Sequence, residues 1–89
     1  MDKRITVDLT KKLDNFERDF DNSLDNIILD CVNCGIEKVV QLLWEEYRYA
    51  DGYMAALLDL GLIDKEEYIS LIQKADIMTQ DKIAIARNV

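Results

Sequence analysis

The sequence has no histidine, which removes the commonest general base and metal ligand from consideration. It has no proline either, so nothing in it imposes the strongest of helix stops and helical periods can run long. Glycine occurs only at 35, 52 and 61, which excludes a phosphate-cradling glycine loop. Two cysteines do not make a disulfide scaffold. Positive charge is scarce, with 11 basic against 18 acidic residues and a net charge of −7, so the basic footprint of a general nucleic-acid or anionic-membrane binder is missing. No apolar run reaches the length of a signal peptide or a membrane span. These absences together imply a cytoplasmic, reduced protein with no cofactor and no metal.

What remains is 89 residues, 49% hydrophobic and 33% charged, a globular mix that fits a single all-helical domain over residues 1–89. A chain of this length buries only about 60% of its unfolded surface, so self-association is an early expectation.

The periodicity is helical. Leu9, Leu13, Phe16, Phe20, Leu24, Ile27, Cys31 and Cys34 recur every three or four residues, predicting a first long helix that ends at Gly35 as its left-handed C′ residue. Thr6, Asp8 and Thr10 are competing N-caps for it. A second long helix follows Ile36, Val40, Leu43, Tyr47, Ala50, Met54, Leu57 and Gly61 at a strict seven-residue period. A second ridge, Val39, Leu42, Tyr49, Tyr53, Ala56 and Leu60, runs beside it. So wide an apolar circumference needs neighbours on more than one side, which predicts a homo-oligomer, a dimer by default. Gly52 inside this helix calls for a kink or close backbone packing.

Leu60-Gly61-Leu62-Ile63 then reads as a helix end, and Asp64 caps a shorter third helix. Glu67 completes a capping box, and Ile63 and Tyr68 sit where a hydrophobic staple forms. Tyr68, Leu71, Ile72 and Ala75 give its buried face, with Ile77 and Met78 as an extension. At the two ends Ile5, Val7 and Leu9 alternate, as do Ile83 and Ile85. Two short paired strands and helical or frayed ends fit that pattern equally. The stretch Leu57–Tyr68, with its Gly-x-Ile-cap-x-Glu-Glu-aromatic core, resembles the short helical-hairpin motif called SHOCT and hairpins in small proteins of bacterial mobile elements. The resemblance spans a dozen residues, implies helix–turn–helix, and brings no functional residue with it.

Four groups of residues bear on function. Cys31-Val32-Asn33-Cys34 is a C-x-x-C at a helix C-terminus, where the dipole disfavours thiolate. Pooling two chains' pairs would give a four-cysteine zinc site, but small buried core residues are the simpler reading. Asp19–Asp30 imitates an EF-hand loop without its glycine or its terminal glutamate, so it is read as helix. Asp14, Glu17, Asp21 and Asp25 form a row of charge down one side of the first helix, either a solvated face or a mimic of a phosphate backbone. Trp44, Tyr47, Arg48, Tyr49 and Tyr53 gather aromatic rings and a guanidinium, the residue types of interaction hot spots and of small-ligand pockets. Trp44, off the main stripe, is the leading interface anchor.

Catalysis is not indicated. Glu45, Glu46, Asp51 and Asp59 lack the paired Glu-x-x-Glu and Glu-x-x-Asp spacings of the all-helical nucleotide pyrophosphatases, which this chain otherwise resembles in size. The expectation is a non-enzymatic, homo-oligomeric inhibitor or adaptor that docks on another protein, of a size and acidity that suit a phage or mobile-element product. A nucleic-acid mimic and a nucleotide-binding oligomer are the alternatives.

Overall fold

A computed structural model describes residues 15–88, which form three helices and a short 3-10 turn, with no strand among them. Helix α1 spans Phe16–Asp30, the 3-10 turn Val32–Cys34, α2 Ile36–Asp59 and α3 Lys65–Arg87. The alternation at Ile5, Val7 and Leu9, the caps proposed at Thr6, Asp8 and Thr10, and Asp14 lie outside the described residues. Mainly α is therefore what the chain is, in the part that can be described.

Helix α1 buries Phe16, Phe20 and Leu24 at a spacing of four. It stops earlier than its apolar stripe. The Cys31 amide still bonds to the Ile27 carbonyl at 3.0 Å, but the Cys34 amide then bonds back only three residues, to Cys31 at 2.9 Å. Gly35 follows at φ 91°, ψ 153°. That backbone setting is nearly confined to glycine, and it serves the start of α2: the Gly35 carbonyl accepts from the Val39 amide at 3.2 Å. Gly35 is thus the N-cap of α2, a correction to its expected role as the left-handed end of α1.

Between α2 and α3 the chain reverses as its residues foretell. Leu62 donates to the Leu57 carbonyl and Gly61 to that of Leu58, both at 3.0 Å, and Gly61 sits at φ 75°. These two bonds make a Schellman end with glycine at C′. Asp64 then accepts from the Glu67 amide at 2.8 Å, and the Glu67 carboxylate accepts from the Asp64 amide at 3.4 Å, closing the capping box. Ile63 is buried and Tyr68 half-buried against the same core, at the positions a staple occupies.

Helix α3 is not the short element the sequence suggested. It has 23 residues against 24 in α2 and continues to Arg87, so Ile83 and Ile85 are helical; the first is buried and the second faces out. Leu71, Ala75, Thr79 and Ile83, each four apart, carry its inward face. Thr79 belongs there because its hydroxyl donates to the Ala75 carbonyl at 2.8 Å, which lets a polar side chain sit fully buried. Ile77, expected as an extension of the buried face, is 59% exposed.

Both neighbours that α2 needs come from its own chain. It packs most extensively on α3, with α1 across the pair. Leu43, Met54 and Leu57 of α2 are fully enclosed with Leu24 of α1 and Thr79 of α3. Trp44, Tyr47, Tyr53 and Leu58 pack half-buried against this core. Part of the circumference that the sequence left to be sheltered by other copies is covered within the chain, while Ile36, Tyr49 and Leu60 stay exposed. Gly52 is exposed in an unbroken helix, and a Cβ placed on it would meet nothing within 4 Å, so no close approach within the chain explains it.

Candidate interaction surface

The aromatic segment of α2 divides around the helix, because residues 44, 47 and 51 fall toward α3 whereas 48, 49 and 52 fall away. Trp44 and Tyr47 meet edge to face at 5.5 Å. Beside them the Tyr68 hydroxyl of α3 donates to the Asp51 carboxylate. This bond holds the Tyr68 hydroxyl above its ordinary pKa, with burial adding to the effect. Burial raises Tyr47 as well, helped by the Asp76 and Asp51 carboxylates, and burial alone raises Tyr53. These groups tie α2 to α3.

On the other side of α2 lies a groove shared with α1. It holds about 300 Å³ and is lined by Phe16, Phe20, Ala50 and Tyr53, with Tyr49 at its edge. Asp19, Ser23 and Glu46 give it a polar, acidic rim. Its floor is firm, since the Phe16 and Phe20 rings stack at 5.6 Å with an 11° tilt. Tyr49 is 82% exposed, more than any other large hydrophobic side chain described.

No family model, curated protein or solved structure matches the chain.

Of the five aromatic and basic residues singled out from the sequence, Tyr49 and Tyr53 reach the groove, Trp44 and Tyr47 point toward α3, and Arg48 is exposed on the outer face of α2. Phe16, Phe20, Asp19, Ser23 and Glu46 complete the groove. The sequence hid them: the two phenylalanines read as core, and only the crossing of α1 over α2 brings them beside Tyr49.

The acidic row is not free. Glu17 pairs with Lys74 at 3.0 Å, while Asp21 and Asp25 share Lys82 at 3.1 and 2.7 Å. Three carboxylates one helical turn apart thus clamp α1 onto α3. The bond to Asp25 raises the Lys82 pKa; that to Asp21 adds to it, against burial, which lowers it. The Asp19–Asp30 string lies in α1 and its end, so it is helix and not a calcium loop. Among the described residues no group of three or more Cys, Asp or Glu is placed to hold a metal ion, and no helix is long and apolar enough to cross a membrane.

The cysteines depart from expectation. The apolar stripe places both in the core, yet Cys34 is exposed and Cys31 half-buried. The cause is the early end of α1, which takes Cys34 off the helical stripe and onto the turn. A second hollow of about 590 Å³ lies at that end of the bundle, between Ile36, Glu37 and Val40 of α2 and Ala86 and Arg87 of α3.

Proposed function

We propose that this chain is a non-enzymatic interaction protein of the cytoplasm, an inhibitor or adaptor, which docks on another protein through Tyr49 and the groove between α1 and α2. The observation that carries this reading is the pairing of a nearly fully exposed tyrosine with an apolar cleft and an acidic rim. Tyrosine gives large contact area for little conformational entropy, and exposed ones beside a pocket are the usual anchors of an interface. The rim carboxylates of Asp19 and Glu46, within a region holding seven basic and fifteen acidic residues over 15–88, favour a partner segment with an apolar side chain flanked by lysine or arginine. Self-association, a dimer by default, is part of the proposal, with the hollow at Ile36 and Val40, edged by Glu37 and Arg87, as its contact.

Mimicry of nucleic acid is the weaker alternative, because Glu17, Asp21 and Asp25 already have lysine partners in α3. The test uses wild type, Tyr49→Ala, Glu46→Lys and Ile77→Ala as baits, with light scattering to fix the mass of each. Tyr49→Ala and Glu46→Lys should lose a partner that Ile77→Ala, altered on the far side of α3, retains. Equal capture by all four would refute the groove as the docking site.

A further inference from the structure

We propose that Cys31 and Cys34 are a thiol pair that closes to an intramolecular disulfide across the α1–α2 turn when it meets a low-molecular-weight disulfide.

The backbone prepares the closure. The Cys34 amide donates to the Cys31 carbonyl at 2.9 Å, and a turn closed by such a bond holds its first and fourth Cα atoms within about 7 Å. That span meets the window of about 4.4–6.8 Å in which disulfides form. The turn is 3-10 over Val32–Cys34, and in 3-10 geometry side chains three residues apart eclipse rather than diverge. Had α1 continued to Gly35, as the apolar stripe suggested, the two sulfurs would have been offset around the helix.

The two sulfurs have different surroundings, which assigns their order of reaction. Cys34 is exposed and takes the first step; Cys31 is half-buried and takes the second. The Cys34 thiolate attacks one sulfur of the external disulfide, whose S–S bond breaks and releases one thiolate. The Cys31 thiolate then attacks the Cys34 sulfur of this mixed disulfide and expels the second. The pair of protein thiols is oxidised and the external disulfide reduced to two thiols, which take up the two protein protons. Burial, together with Cys34 and Asp30 nearby, holds the Cys31 thiol above its ordinary pKa against the opposing effect of Lys38. A cytoplasmic pair of this kind reports a shift in thiol balance and does not serve as permanent scaffolding.

The experiment treats the reduced native chain with oxidised glutathione, quenches with a maleimide and reads intact mass. The expected product has lost two hydrogens, carries neither glutathione nor maleimide, and reverts with dithiothreitol. Cys31→Ser should accumulate the glutathione adduct on Cys34, and Cys34→Ser should react at least about tenfold more slowly than wild type. A wild-type chain that stops at the mixed disulfide, or that forms covalent dimers, overturns the proposal, as does Cys34→Ser reacting at the wild-type rate.

Discussion

Replacing Lys82 by methionine tests whether the acidic row of α1 is structural. Lys82 is 16% exposed and joins Asp21 and Asp25, themselves 42% and 47% exposed. Methionine keeps the methylene stem packed and removes only the ammonium group. An exposed ion pair is worth about 0.2–1 kcal/mol, and a hydrogen bond to a charged group about 1.5–3 kcal/mol. With a largely sheltered donor and half-exposed acceptors, the clamp should lie between those limits, at about 1–2 kcal/mol in total. The two freed carboxylates can rehydrate, so no penalty for a buried unpaired charge is added. They do remain like charges four residues apart on one helix, which costs a few tenths of a kcal/mol more. Lys74→Met is the internal comparison, because its pair with Glu17 is 55% and 57% exposed and should be worth less than about 0.5 kcal/mol. Urea unfolding followed by Trp44 fluorescence and by far-ultraviolet dichroism resolves such a gap, and molar salt should narrow it. If Lys82→Met matches wild type, or costs no more than Lys74→Met, the clamp is not a determinant of the fold and the acidic row is open to a partner after all.

Asp64→Ala should cost about 1 kcal/mol through loss of the α3 cap; a change near zero in the urea midpoint would mean that the capping box adds nothing. Gly52→Ala should stabilise the chain by about 0.5–1 kcal/mol, since the position is helical, exposed and open; destabilisation would show that a neighbour from outside the chain approaches there. Stability should begin to fall as pH rises past about 8.5, where an unfolded cysteine titrates, and fall more steeply through about 10. Cys31, Tyr47, Tyr53, Tyr68 and Lys82 all have raised pKa values when folded, so the unfolded chain gives up those protons first and the native state is disfavoured. A urea midpoint that stays constant to pH 11 would contradict this.

The groove at Tyr49 was half-legible. Tyr49 and Tyr53 could be read from the sequence, because a cluster of tyrosines on an apolar helix marks either core or contact. Which of the two each becomes depends on the angle from which α1 and α3 approach. Phe16 and Phe20 could not be read, since their spacing of four is that of any buried stripe. The cysteines failed for a local reason: the stripe continues through Cys34, whereas the hydrogen bonding tightens at Cys31 to enter the setting of Gly35. Local chemistry by itself determined the helical character, the Schellman turn at Gly61 and the capping box at Asp64, because each depends on residues within one or two turns of each other. Tertiary structure alone decided that α2 finds both neighbours in its own chain, that Thr79 is interior, and that Glu17, Asp21 and Asp25 face lysines 57 residues or more away. Contacts between residues so distant in sequence are set by how helices cross, and a one-dimensional period carries no record of the crossing.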